Sequence, residues 1–325
     1  MTGDALSPAG ATGQRLRAAG RMLLSLPFAY AATAILLLIA CFMRPALLSP
    51  MLLLLIVRQA APLGIAVLGQ SLCMRVLSLD LSIGGVIVGV SYILSSGLLP
   101  YSEPVLLLIA VAFGIAVGLL NAFFITRLRA SSVIVTLAVT LVITGVAVAF
   151  SQLRSPGDAP EILRQIVRLK IGIVPVVLVI WAALLVAVAV FIRWSVFGRY
   201  VDAIGANPRA AWVSGIPYVR VVTVVHVLSS LFSVFAGFLL IGFVGVGSMD
   251  LGRDLALNSL AAVILGGVTF GSGRGGVLGP TVAALMLTFS FNLLTSLGLG
   301  EPAKLMLQGI IIGVAAAAYS VQRKS

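Results

Sequence analysis

Few side chains in this sequence have the types and spacing that chemistry on a substrate requires. The one histidine, His226, cannot build a multi-histidine metal site, and neither an H-E-x-x-H nor a G-x-x-x-x-G-K-[ST] motif is present. A G-x-G-x-x-G pattern begins at Gly271, but it follows an apolar helix instead of a strand and has no acidic residue about 20 positions further on. We therefore predict that the chain is not an enzyme and uses no catalytic residue, metal or cofactor.

His226 lies about a turn and a half into an apolar block, and two interpretations of it stay open. It is either a hydrogen-bonded structural imidazole or part of a proton relay. The two cysteines, Cys41 and Cys73, lie in or beside apolar runs and indicate no disulfide. Without a nucleotide site or a chain of buried acids, the polypeptide is not expected to energise a process alone.

The elements that hold these residues are indicated by composition. Hydrophobic residues make up 61% of the 325 residues and charged residues only 9%, whereas a soluble domain is about 25% charged. The apolar residues form blocks, and a helix of about 20 such residues crosses ~30 Å of hydrocarbon. We predict an all-α membrane protein with about ten transmembrane helices, in the blocks 23–43, 47–68, 79–99, 105–125, 133–150, 171–192, 221–244, 255–270, 277–297 and 305–319.

The orientation follows from the basic residues of the connections. With the N-terminus in the cytoplasm, most loop arginines and lysines fall on the cytoplasmic side, so both termini are predicted to be cytoplasmic. Residues 1–22 form a basic segment whose arginines either lie against anionic lipid headgroups or serve only to determine the topology, and the first apolar run is interpreted as an uncleaved anchor. Residues 23–320 form one transmembrane domain and 321–325 a cytoplasmic tail. No nucleic-acid partner is expected.

The longest connection, residues 193–220, contains a short predicted helix outside the membrane. Asn207 is a preferred N-cap, Pro208 suits the first helical position and Gly215 suits the position past the end, which predicts a helix over 208–214. A two-turn helix is not stable alone. It either packs on the inner face of its own protein or inserts into a groove on a cytoplasmic partner. The mixture of Asp202, Arg209 and the aromatic Trp212 favours a partner.

Polar side chains within the blocks are the candidates for a solute pathway. Arg58 lies near the middle of its block, so either the helix is broken there, helped by Pro62, or Arg58 faces the interior. Asp80 either caps the next helix or lines the solute route. Neutral side chains could bind the hydroxyls of a sugar or bridge neighbouring helices. The predicted pathway residues are Arg58, Gln59, Gln70, Asp80, Ser82, Asn121, Asn258 and Asn292.

Several stretches resemble one family of membrane proteins. The segment 197–216, FGRYVDAIGANPRAAWVSGI, looks like the cytoplasmic coupling loop of ribose-type, monosaccharide ABC importer permeases. The segments LDLSIGG from 79, GLLNAFFITRLRASSVIVTLAV from 118 and LNSLAAVILGGVTFGSGRGGVLG from 257 resemble further motifs of that family in the same order. GIIIG from 309 falls where the family's last helix runs, so the resemblance covers residues 47–320.

The resemblance implies a permease subunit of the bacterial inner membrane that forms the path for a monosaccharide or a related polar solute. It implies three partners: a cytoplasmic ATPase that drives transport, a periplasmic solute-binding protein, and a second permease subunit, identical or different. The loop residues expected to couple to the ATPase are Gly198, Asp202, Gly205, Asn207, Pro208, Ala210, Ala211, Trp212 and Gly215.

Two alternatives stay open. A branched-chain amino-acid importer permease has the same style of coupling loop. A secondary carrier or channel would instead work without any ATPase, and the chain alone would then transport its solute.

Overall fold

The computed structural model describes residues 28–268, 273 and 275–322, and within them nearly all regular structure is helical. Two-residue strands, β1 (Lys170–Ile171) and β2 (Val174–Pro175), form one antiparallel hairpin. The helices of the described residues are α1 (Phe28–Met43), α2 (Pro50–Arg75), α3 (Ile83–Ser95), α4 (Glu103–Thr126), α5 (Ser132–Ser151), α6 (Glu161–Arg168), α7 (Val176–Trp194), α8 (Val196–Ala206), α9 (Pro208–Val213), α10 (Tyr218–Val244), α11 (Leu255–Leu265), α12 (Leu278–Ser296) and α13 (Glu301–Gln322).

Six of the described helices are long and apolar enough to cross a membrane: α2, α4, α5, α7, α10 and α12. They contain 19 to 27 residues each, and a helix rises about 1.5 Å per residue, so each reaches roughly 30 Å. The prediction of an all-α membrane protein is confirmed. The count of ten spans and the cytoplasmic position of both termini stay predictions, and residues 1–22 and 323–325 lie outside the described part of the chain.

Two of the predicted blocks are only partly helical. In the block 79–99 the helix covers Ile83–Ser95, which is 13 residues, and in the block 255–270 it covers Leu255–Leu265, which is 11 residues. At 1.5 Å per residue these helices reach about 20 Å and 17 Å, too short to cross the hydrocarbon alone. The expectation that each of these blocks is one continuous spanning helix is therefore wrong.

The first of these blocks starts inside a stretch of seven non-helical residues, 76–82, which we call the α2–α3 break. Lipid offers no partner to bare backbone groups, so such a segment must be buried in protein. Hydroxyl groups of α5 supply the partners: Ser132 Oγ accepts from the N–H of Leu79 at 3.1 Å and Thr136 Oγ1 from that of Leu81 at 3.0 Å. Thr140 Oγ1 donates to the Leu81 carbonyl at 2.8 Å.

The helices α2 and α10 lie at the centre of the fold. α10 packs against α4, α2 and α3, and α2 also packs against α12, α11 and α7. The block predicted at 171–192 becomes helical only from Val176, because the residues before it form the β1–β2 hairpin. This hairpin and α6 follow α5 and lead into α7, and α6 packs on α10.

Candidate functional site

The predicted short helix is present as α9, Pro208–Val213, one residue shorter than expected. Asn207 Oδ1 accepts hydrogen bonds from the backbone N–H groups of Arg209 and Ala210, both at 3.0 Å, and so caps the first turn. The helix ends at Val213, and Gly215 just beyond it has a φ of +81°, the left-handed conformation that glycine adopts without strain. The backbone N–H of Ile216 then donates to the Ala211 carbonyl at 3.1 Å.

The helix α9 has one buried side and one open side. Ala211 is 4% exposed, whereas Trp212 is 70% exposed and Val213 75% exposed. Arg209 and Ala210 are exposed as well. The small residue Ala211 thus packs the helix on its own protein, while Trp212 and Arg209 are exposed. The packing on the protein itself is therefore present, and binding of a cytoplasmic partner stays a prediction.

The three other predicted coupling residues lie in α8, which carries α9. A Cβ atom at Gly198 would lie 1.7 Å from the Ile192 carbonyl oxygen, so no larger residue fits where α8 follows α7. A Cβ at Gly205 would lie 2.3 Å from the Arg75 carbonyl oxygen. Asp202 forms an ion pair with the buried Arg75 guanidinium. These residues therefore connect α8 and α9, which we call the coupling segment, to α7 and to the end of α2.

A basic cavity lies beside α9. It has a volume of about 1070 Å³ and is bounded by α9, the start of α10 and the turn between α4 and α5. Its wall includes Trp212 and four arginines, Arg127, Arg129, Arg209 and Arg220, and no carboxylate. The open side of α9 thus borders a concave, positively charged surface.

Arg58 is placed against α6, and α2 is continuous through Pro62, so the broken-helix alternative is wrong. Its Nη2 donates to the Val167 carbonyl at 2.8 Å, and its guanidinium carbon lies 4.8 Å from the centroid of the Phe243 ring. The helix starts at Pro50, so Arg58 lies in its first half. It faces protein, where a backbone carbonyl and an aromatic face compensate its charge.

Asp80, Ser82 and Asn121 come together at the end of the α2–α3 break, and all three are fully buried. Asp80 Oδ1 accepts from the backbone N–H of Ser82 at 2.9 Å and from its hydroxyl. Asn121 Nδ2 donates to Ser82 Oγ at 2.9 Å. Asp80 therefore lies just before the N-terminal end of α3 without a hydrogen bond to its first turn, and both roles that the sequence left open for it stay predictions.

The other predicted pathway residues are separated. Asn292 Nδ2 donates to Gln59 Oε1 at 3.1 Å and so bridges α12 and α2. Gln70 is fully buried within α2, and neither of its amide atoms has a partner in the described part of the chain. Asn258 lines a cavity of about 220 Å³ with Gln308, and one amide atom of each has no described partner. The eight residues do not form one continuous site within this chain.

Sequence reasoning missed one cluster in the interior. Cys73, Asp80 and His226 are all fully buried and lie close together. His226 Nε2 is hydrogen-bonded to Ser78 Oγ at 2.8 Å, which is the structural interpretation left open for the imidazole. No local signal reveals the cluster, because 153 positions separate Cys73 from His226, and only the packing of α2 against α10 brings them together.

These features define a class first, a helical membrane protein with several spanning helices, and the relatives below make it a permease of the bacterial inner membrane. The family described as branched-chain amino acid transport system / permease component matches residues 52–316. The chain belongs to this family of import-system permease components, and the resemblance to ribose-type ABC importer permeases is confirmed.

Individual relatives agree with this assignment. The chain is 28% identical over 285 residues to the ribose import permease protein RbsC of Bacillus subtilis (strain 168), across 86% of this chain and 88% of the relative. It is 27% identical to the fructose import permease protein FrcC of Rhizobium meliloti over 274 residues, which are 81% of this chain and 76% of the relative. It is 30% identical to the galactose/methyl galactoside import permease protein MglC of Haemophilus influenzae over 227 residues, 67% of each chain. No solved structure matches.

Proposed function

We propose that this chain carries a monosaccharide or a related polar solute, and that a separate cytoplasmic ATPase drives it by binding α9. A solute-binding protein delivers the solute from the periplasm, and a second permease subunit completes the channel. The chain crosses the membrane about ten times with both termini in the cytoplasm. The observation that carries the proposal is the capped helix α9, which is fixed to its protein at Ala211 and open at Trp212.

The shape of α9 supports an interface with a partner. A helix of six residues is not stable alone, but the Asn207 cap and the packing of the buried Ala211 hold this one in place. The Trp212 side chain is 70% exposed, and tryptophan and arginine are the residues that most often carry the binding energy of an interface. A rigid helix with an open aromatic side chain suits insertion into a groove of another protein.

The contacts of α8 supply a route from that interface to the spans. Gly205 touches the carbonyl of Arg75, and Asp202 pairs with its guanidinium, so a displacement of α8 and α9 pushes directly on the end of α2. α2 lies at the centre of the fold and continues into the α2–α3 break. Closure of an ATPase pair would thus reach the interior as a rigid-body movement of packed helices.

The solute class rests on the relatives and on the neutral polar groups of the interior. Relatives named for ribose, fructose and galactose import match most of the chain. Asn258 and Gln308 present amides to a small cavity whose wall also carries charged side chains, and amide groups suit the hydroxyls of a neutral sugar. The family description also names branched-chain amino acids, so an amino-acid solute is the outcome that would contradict the sugar assignment.

Binding of the partner ATPase to the full-length permease in detergent or nanodiscs tests the role of α9. We expect Trp212→Ala to weaken ATPase binding by at least tenfold, because a central tryptophan contributes about 2 kcal/mol or more to an interface. Trp194→Ala is a matched control, since Trp194 is 72% exposed at the end of α7 and lies outside α9. Equal binding by both variants would contradict the proposed interface.

A further inference from the structure

The buried cluster of Cys73, Asp80 and His226 joins three parts of the interior: α2, the α2–α3 break and α10. The cysteine sulfur, a carboxylate oxygen of Asp80 and a ring nitrogen of His226 all lie within 4.8 Å of one another. Each of the three residues is fully buried. The proposed coupling through α9 makes no use of them, so this cluster requires its own explanation.

The cluster has unused binding capacity. Asp80 Oδ2 and His226 Nδ1 have no hydrogen-bond partner among the described residues, although both atoms are buried. None of the ion pairs found in the described part of the chain includes Asp80. A buried carboxylate without a cation is costly, and buried charges normally are paired or bind metals.

We infer that Cys73, Asp80 and His226 form a binding site for a thiophilic divalent cation of the zinc type. Thiolate, imidazole and carboxylate are the three ligand types that Zn²⁺ takes in proteins. Binding replaces the thiol proton of Cys73 by the metal and releases that proton to water. One thiolate and one carboxylate then balance the two positive charges, while His226 stays neutral, so the occupied site carries no net charge within the membrane domain.

The surroundings of His226 match those of a metal-binding imidazole. Such an imidazole binds the metal through one nitrogen and is oriented by a hydrogen bond at the other. Here Ser78 Oγ lies 2.8 Å from Nε2, and Nδ1 has no partner among the described residues. With Nε2 as the donor to Ser78, the lone pair of Nδ1 is available for a cation.

The spacing of the ligand atoms is close to that of an occupied site. Metal–ligand distances of about 2.0–2.3 Å place tetrahedral ligand atoms roughly 3.5 Å apart. The ligand atoms of the cluster lie within 4.8 Å of one another, so side-chain movements that shift these atoms by about 1 Å bring them to that spacing. Three protein ligands leave a fourth position for water. An ion bound here links α2 to α10 across the break.

A cadmium titration of the purified full-length permease tests the site, because Cd²⁺ replaces Zn²⁺ at thiolate sites and gives an ultraviolet charge-transfer band. The chain has only two cysteines, Cys41, which is exposed, and Cys73, which is buried. Cys41→Ser therefore leaves Cys73 as the sole thiol, and the matched variant Cys73→Ser leaves Cys41 alone. We expect Cys41→Ser to show the band at one Cd²⁺ per chain and added Zn²⁺ to remove it by competing for the site. Cys73→Ser should show no band.

The other ligands are tested in the Cys41→Ser background. Asp80→Asn and His226→Gln each should weaken Cd²⁺ binding by more than tenfold, and Ser78→Ala by about tenfold through the lost orientation of the imidazole. Absence of the band in Cys41→Ser, which keeps every ligand of the site, would overturn the inference even if the other variants fail to fold. Unchanged affinity in both Asp80→Asn and His226→Gln would also overturn it, because a lone thiol would then account for the binding.

Discussion

The coupling segment α8–α9 and the α2–α3 break are both departures from continuous spanning helix, but different forces hold them. In α9 the partners of the backbone lie within a few residues, at Asn207 and Gly215. In the break the N–H groups of Leu79 and Leu81 bond to hydroxyls of α5, more than fifty positions later, whereas those of residues 76–78 bond to carbonyls at the end of α2. The residues that follow α9 and α2 differ too. Gly215 adopts φ +81° after α9, which glycine tolerates, whereas Leu77 adopts φ +59° after α2, a conformation that is strained for a residue with a side chain.

The conformation of α9 is therefore determined by its own sequence, whereas that of the α2–α3 break is determined by the helices packed around it. The α9 sequence specifies its own cap and its own end, so it can be presented to a partner as a preformed element. The break depends on hydroxyls of Ser132, Thr136 and Thr140, and a leucine accepts the left-handed conformation because the surrounding helices require it. A structure of this second kind lies at the junction where α2, Asp80 and His226 meet.

The largest expected effect concerns the break. Thr136→Val removes the hydroxyl that accepts from the Leu81 N–H and leaves a buried donor without its partner. An unsatisfied buried group costs about 1–3 kcal/mol, so the variant should lower the unfolding temperature of the purified permease measurably. Thr295→Val is a suitable control, because Thr295 Oγ1 bonds only to Phe291 of its own helix and is exposed. An equal loss in both variants would show that α5 does not hold the break.

A smaller effect is expected at the cap of α9. Asn207→Ala removes two hydrogen bonds to the first turn, and a lost N-cap costs about 1 kcal/mol. Because α9 lies at the surface, we expect global stability to change little and ATPase binding to weaken about fivefold. Asn207→Asp keeps a capping carboxylate and should bind normally. If Asn207→Asp weakens ATPase binding as much as Asn207→Ala does, the N-cap of α9 does not determine the affinity of the interface.

The same contrast explains how far the sequence could predict this molecule. The apolar blocks predict the long spans, and Asn207, Pro208 and Gly215 predict α9 to within one residue, because those signals are local. The break could not be predicted, since residues 79–82, Leu-Asp-Leu-Ser, contain no proline or glycine that would end a helix, and only α5 shows where the hydrogen bonds of Leu79 and Leu81 go. The pairing of Asp202 with Arg75 and the grouping of Cys73 with His226 depend on tertiary packing alone.

The most direct test is uptake of labelled ribose, fructose and galactose into proteoliposomes that contain the full-length permease, with and without its ATPase. With ATP inside and the solute-binding protein outside, we predict accumulation of at least one of these sugars only when the ATPase is present. Trp212→Ala should reduce that accumulation to background and Trp194→Ala should not. Accumulation by the permease alone, driven by an ion gradient, would contradict the account that the chain receives its mechanical work through α9.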